Sequence, residues 1–336
     1  MDYCKLASEL LKALRGRRSQ SAFSGWLGYS SNVQYLWEAG KAFPRAARFF
    51  QIAERTTRPV GDAVSRLYAR PPATLGRARL STRAGVGALL SDLKGNRSIL
   101  DLARSTGQSR FAISRWLEGK SEPRLPDFLC LLEAVSLRLL DFLSAIVDPL
   151  ALPSVAGAWR RLEAARRTAY DSPWSHAVLR ALELESYRAL PKHAPGWIAQ
   201  QVGITRAEED QSLQLLSESG QIKKRRGRFQ VVEATLVDTR PNPEAARKLR
   251  EFWAEQAVAR MKAQPSAVFA YNVFSVSRAD LERIRALHRN YFRELRALVA
   301  QSNPAECVAL VTMSLAEMSN EGLSVDDGSR TPMPLR

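Results

Sequence analysis

The stretch Leu102-Ala103-Arg104-Ser105-Thr106-Gly107-Gln108-Ser109-Arg110-Phe111-Ala112-Ile113-Ser114-Arg115-Trp116 decides how this chain is read. Ser98 can cap a helix whose Leu102 and Ala103 face inward, and Ala103 is small enough for a second helix to cross closely. Gly107 supplies the sharp turn between them, where a side chain would clash or need a positive φ. Ser109 can cap the next helix, which Ile113 and Trp116 anchor. That leaves Arg110, Phe111, Ser114 and Arg115 facing outward.

This stretch resembles the helix-turn-helix of the phage-repressor and Cro-like proteins, the xenobiotic-response-element class. Glu118-Gly119-Lys120, Pro123 and the helical runs Pro126 to Val135 and Leu137 to Val147 suit the five-helix domain of that class. The resemblance implies that the helix from Ser109 to Leu117 lies in the major groove of double-stranded DNA. Arg110 would then read a guanine, with Ser109, Phe111 and Ser114 as further base-reading residues. Arg115, Lys120 and the helix start at Ser98 would hold phosphates.

Working outward, the preceding segment repeats the pattern. A shift of 79 places Gly28 on Gly107, Trp37 on Trp116, Gly40 on Gly119, Lys41 on Lys120 and Pro44 on Pro123, which argues for an internal duplication. The first copy has helices at Leu6 to Leu14, around Phe23 to Leu27, and from about Ser31 to Ala39. It puts Gln34 where Ile113 stands and Leu36 where Arg115 stands, so its anchor is expected to move to Val33 and Trp37. Ser31, Asn32 and Gln34 are its base-reading candidates and Lys41 its phosphate contact. The alternative is a degenerate copy kept for packing or dimerisation.

Beyond Pro173 the chain reads as an apolar helix, Trp174 to Leu190, then a helix-turn-helix that begins with Gly196-Trp197-Ile198-Ala199-Gln200-Gln201-Val202-Gly203-Ile204. A capping box, Thr205-Arg206-Ala207-Glu208, opens a further helix to Ser217. Strands Ile222 to Phe229 and Gln230 to Ala234 follow, joined near Arg225-Arg226-Gly227. This order resembles a winged helix, with Lys223, Lys224, Arg225, Arg226 and Arg228 placed for phosphate contact. Glu208, Glu209 and Asp210 crowd the start of the would-be recognition helix and would repel phosphate, so a protein partner stays an alternative. Residues 241 to 318 read as helix (Glu244 to Ala263), strand (Ala267 to Val276), helix (Ser277 to Ala300) and strand (Glu306 to Leu315), the first strand marked by alternating Phe269, Tyr271 and Val273. Trp174 to Met318 together resemble the C-terminal domain of unknown function of a family of bacterial helix-turn-helix proteins.

The expected fold is thus mainly α. It comprises tandem five-helix domains at 1–70 and 85–150, a winged helix at 173–240, a small α+β dimerisation or sensing domain at 241–318, and a loose tail at 319–336. Proline-rich punctuation at Arg70-Pro71-Pro72-Ala73, Pro149 to Pro153, Tyr170 to Pro173 and Arg240 to Pro243 marks the joints.

Composition agrees with a nucleic-acid partner without deciding for it. Lys and Arg number 50 against 34 Asp and Glu, giving +16 over 336 residues. Cys4, Cys130 and Cys307 have neither disulfide nor zinc spacing, and His176, His193 and His288 stand apart, so no metal, cofactor or catalytic site is expected. With no signal-like N-terminus and no long apolar run, the chain is expected to be cytoplasmic and free of membrane. The functional expectation is a transcriptional regulator, a homodimer with an unknown effector or protein partner; the alternative is an adaptor or antitoxin-like module that uses these folds to hold a protein.

Overall fold

A computed structural model describes residues 1–56, 60–68, 79–232, 239, 241–263 and 268–318. It is mainly helical, with 63% helix in 17 α-helices and one small two-stranded sheet among the described residues. The first ten helices fall into two sets of five. The first set is α1 (Tyr3–Arg15), α2 (Gln20–Trp26), α3 (Val33–Glu38), α4 (Ala46–Thr56) and α5 (Val60–Leu67). The second is α6 (Arg83–Lys94), α7 (Ile99–Thr106), α8 (Arg110–Leu117), α9 (Leu125–Ser136) and α10 (Leu139–Ser144).

The duplication is carried into the backbone residue by residue. Gly16, Gly28 and Gly40 take φ of 61°, 86° and 71°, and their counterparts 79 places on, Gly95, Gly107 and Gly119, take 53°, 70° and 66°. Each closes a helix or turn in the left-handed region, where glycine alone carries no Cβ penalty. Ser19 and Ser98, another pair 79 apart, cap α2 and α7 by accepting from Ala22 N at 3.1 Å and Asp101 N at 3.0 Å. The chain leaves both third helices alike: Lys41 N donates to Leu36 O at 2.9 Å, and Lys120 N to Arg115 O at 2.8 Å.

The two sets meet about an approximate dyad. Ala46 N donates to Pro123 O at 3.0 Å while Leu125 N donates to Pro44 O at 2.9 Å, a reciprocal pair in which each residue contacts the image of its neighbour. Arg45 and Arg124, also 79 apart, form the isolated antiparallel bridge between them. Packing obeys the same rule: α1 lies on α9 as α6 lies on α4, α5 packs on its own counterpart α10, and α4 on α9. This is the isologous contact of a twofold homodimer, made within one chain. One continuous core results, running from Leu6 to Val155. At its middle Phe50 meets Phe128 edge-on at 5.4 Å and Phe142 at 6.2 Å.

A short 3-10 turn (Pro149–Ala151) leads into α11 (Pro153–Asp171), an element that the sequence reading left out. Pro153 starts it, as suits a first-turn proline. Glu9 accepts from Ser154 N and Oγ, both at 2.9 Å, and Arg166 pairs with Asp141 at 2.6 Å with both side chains buried, so α11 is fixed to the repeats at two points.

The second core holds α12 (Ser175–Ala181), α13 (Glu185–Arg188), α14 (Trp197–Val202), α15 (Arg206–Glu218) and the hairpin β1 (Ile222–Arg225) and β2 (Arg228–Val231). The single helix expected from Trp174 to Leu190 is two short ones. The hairpin turns at Arg226 and Gly227, both at positive φ, so Phe229 belongs to β2, where it pairs with Lys224. α16 (Pro243–Ala263) packs Phe252 and Trp253 around Trp174, and α17 (Arg278–Gln301) follows.

The two strands expected in the C-terminal part do not form. Residues 268–276 and 306–315 pair with no strand among the described residues, and the sheet consists of β1 and β2 alone. Phe269, Tyr271 and Val273 alternate as in a strand, but an alternating sequence makes a strand only where another edge accepts its ladder. The joint at Arg70 to Ala73 and the tail at 319–336 lie outside the described residues, as does the end of the second hairpin strand proposed at Ala234. No helix among the described residues is long and apolar enough to cross a membrane.

Candidate nucleic-acid interface

The geometry of the second repeat follows from three small residues and two large ones. Ser109 Oγ accepts from Ala112 N at 3.1 Å and so starts α8. Gly107, in the left-handed region, turns the chain from α7 into it. Ile113 is fully buried and Trp116 nearly so, which fixes the helix by its inner face. Gly87 on α6 completes the seat: a Cβ there would lie 2.8 Å from Trp116 O and 2.9 Å from Gly119 N, so the end of α8 rests on bare backbone. The sequence reading missed Gly87; the small residues Gly85 and Gly87 inside an apolar helix were the available signal.

The outer face of α8 presents the expected residues. Arg110, Arg115 and Ser109 are exposed, and Phe111 stands 80% exposed at the first turn. Ser114 is half-buried and donates to Glu118 Oε1 at 2.7 Å. Lys120 Nζ lies 2.5 Å from the other oxygen of the same carboxyl, and these two partners hold Glu118 below the usual carboxylate range. Two of the expected DNA contacts are therefore occupied by one acid, which phosphate would have to displace. Ser98 is similarly engaged: its hydroxyl donates to Asp101 Oδ2 at 2.6 Å, placing a carboxylate at the start of α7.

The first repeat departs where the sequence said it would, but with a different outcome. Gln34 is wholly buried in the place of Ile113, so it has no surface to offer a base and leaves the set of readers. Its Nε2 donates to Leu11 O at 3.0 Å and to Glu38 Oε1 at 2.8 Å. Val33 is half-buried, so the inner anchor of α3 is Gln34 with Trp37 rather than Val33 with Trp37. Glu38 also binds Arg15 at 2.6 Å and Gln20 at 2.8 Å. Burial opposes its charge, yet the hydrogen bonds from Arg15, Gln20 and Gln34 outweigh burial and hold the carboxyl below its ordinary value. At the position of Gly87 stands Ser8, whose hydroxyl donates to Trp37 O at 2.8 Å, the counterpart of the Trp116 carbonyl.

On the outer face of α3, Ser31 and Asn32 are exposed, and Asn32 Oδ1 caps the helix through Tyr35 N at 3.3 Å. Tyr35 and Leu36 are 48% and 39% exposed in the places of Ser114 and Arg115. Lys41 lies 5.5 Å over the Tyr35 ring.

In the second core the acids at the start of α15 divide into three roles. Glu208 closes the capping box with Thr205 and takes Trp174 Nε1 at 3.1 Å. Glu209 is fully buried and accepts from Gly196 N at 3.1 Å and Ala199 N at 2.6 Å, so it caps α14 and faces no phosphate. Asp210 alone of the three is free to face outward, 3.8 Å from Arg206. Beneath the hairpin, His193 stacks edge-on against Phe229 at 5.0 Å and stands 3.2 Å from Tyr187 Oη. Lys223, Lys224, Arg225 and Arg226 are exposed, and Arg228 is half-buried.

Residues 155–317 match the family described as a domain of unknown function, DUF4423. The match starts within α11 rather than at Trp174, so the connecting helix goes with the C-terminal part. No curated protein and no solved structure matches the chain. The paired repeats lie ahead of the matched region.

Proposed function

We propose that the chain is a sequence-specific DNA-binding regulator in which α7, Gly107 and α8 act as a helix-turn-helix of the phage-repressor type and α8 enters the major groove. The observation that carries this reading is the first turn of α8. Ser109, Arg110 and Phe111 are exposed on a helix whose opposite face is locked by Ile113, Trp116 and the backbone contact at Gly87. A reading helix needs that combination, a fixed backbone and a free N-terminal turn. Arg110 supplies a fork for guanine and Phe111 an apolar surface for the thymine methyl. Arg115, and Lys120 after release from Glu118, would take phosphates.

The second core is proposed as a winged helix, with α15 in the recognition place and the hairpin as the wing. Its exposed cations support phosphate contact, and the inward turn of Glu209 removes one of the three charges that argued against it. Association of two copies through the DUF4423 region accompanies this proposal: Phe269, Tyr271, Val273 and Phe274 lie exposed on an extended segment with no strand partner among the described residues. A protein-holding role for the first repeat is the second reading, favoured by exposed Tyr35 and Leu36.

Selection of bound duplexes from a random pool at fixed, stated salt tests the main reading. A defined consensus, relaxed at one base position by Arg110→Ala at a cost of about 1–3 kcal/mol, is expected. Equal binding to all duplexes by the parent chain would refute it.

A further inference from the structure

We infer that one chain reads a two-part, non-palindromic DNA site, its two repeats serving as the unlike heads of a built-in dimer. This rests on the DNA-binding reading above. Repressors of two identical subunits meet palindromes because their dyad coincides with that of the duplex. Here the dyad lies inside the chain, between Arg45 and Arg124, with reciprocal hydrogen bonds from Ala46 to Pro123 and from Leu125 to Pro44.

The contact uses α1, α4, α5, α6, α9 and α10 and leaves the outer faces of α3 and α8 exposed. The heads are thus related by the symmetry that a pair of half-sites needs. Arg45 and Arg124, both exposed, form a cationic spot midway between them. The faces themselves are chemically unequal. α8 offers Arg110, Phe111, Ser114 and Arg115, whereas α3 is shorter at its start and offers Ser31, Asn32, Tyr35 and Leu36. A guanidinium fork on one side and a phenol with an aliphatic chain on the other cannot prefer the same bases. Repeat one is also not a collapsed copy: its buried Gln34 and half-buried Glu38, Arg15 and Gln20 form a network that rebuilds the seat of α3 with different chemistry.

The test uses the full chain and its exposed-face variants, with folding checked by circular dichroism, in selection from a random duplex pool. The expected consensus has two unlike blocks whose centres lie about 10 base pairs apart, one helical turn. Arg110→Ala should relax one block and weaken binding about 5- to 150-fold, while the pair Ser31→Ala and Tyr35→Ala relaxes the other block alone. A palindromic consensus relaxed in both halves by Arg110→Ala and indifferent to the α3 variants would overturn the inference, since α8 of two chains would then be the readers. A single block indifferent to the α3 variants would overturn it as well. Loss of all sequence preference in the parent chain would instead remove the DNA-binding reading, and this inference with it.

Discussion

Glu38 shows how one substitution in a core position is absorbed. Where the second repeat buries Ile113, the first buries Gln34, whose Nε2 donates to Leu11 O and Glu38 while its Oε1 has no hydrogen-bond partner; Glu38 in turn accepts from Arg15 and Gln20. Because the folded carboxyl titrates below its ordinary value, its stabilising effect is complete above about pH 4.3 and fades as pH falls through the lower, folded value. Denaturant melts between pH 7 and 3 should therefore show a loss at the acid end that Glu38→Gln lessens. At neutral pH Glu38→Ala should cost about 1–3 kcal/mol by removing the shared acceptor of the half-buried Arg15 and Gln20 and one of the two acceptors of Gln34. Gly87 makes the opposite kind of demand. Gly87→Ala sets a methyl group against the end of α8, and overpacking of this sort costs about 1–3 kcal/mol. A lower melting midpoint with unchanged helix content would bear it out. Neither position was legible in the sequence as it stands in the fold. Gln34 is a polar residue next to a presumed reading face, and the partners that bury it lie up to 23 residues away. Gly87 acquires its meaning only from the carbonyl of Trp116.

At the level of elements, the local signals around α7 and α8 were read correctly, whereas α11 and the break between α12 and α13 were not. Ser98 and Ser109 are caps, Gly107 is a left-handed turn and Ile113 and Trp116 are anchors, because each of these depends on neighbours within about one helical turn. Residues 268–276 fail for the converse reason: their alternation fixes an extended preference, whereas a ladder is a long-range fact. The hairpin β1–β2 gives the clearest experiment at this scale. Its tip is exposed, so alanine at Lys223, Lys224, Arg225 and Arg226 together should leave folding intact. If the wing grips DNA, the slope of log affinity against log salt falls by up to about 3.6, at about 0.9 for each of four phosphates. An unchanged slope would take the hairpin off the DNA.

For the whole molecule, the decisive pattern was the shift of 79, visible first in a few glycines and one tryptophan and then found in caps, turns and helix contacts. Its consequence for packing, that the copies embrace across a dyad, was not legible, because nothing in a repeated sequence says whether the repeats face each other or stand apart. The junction to the DUF4423 region rests on Arg166 and Asp141, a pair with almost no solvent. Arg166→Met removes the cation from beside a buried carboxylate and should cost about 3–5 kcal/mol in equilibrium unfolding. By contrast, Arg180→Ala, which breaks the more exposed pair with Glu183, should cost less than about 1 kcal/mol.

The reciprocal hydrogen bonds at Pro44 and Pro123 have a consequence for the cell. Subunits held by mass action separate on dilution, and occupancy of their target then falls with the square of protein concentration. Two heads on one backbone remain together at any copy number, since the second is supplied at the high local concentration of a tethered partner. Their pairing responds to folding alone, so, on the proposed DNA-binding reading, a handful of molecules would present the same bidentate grip as many thousands.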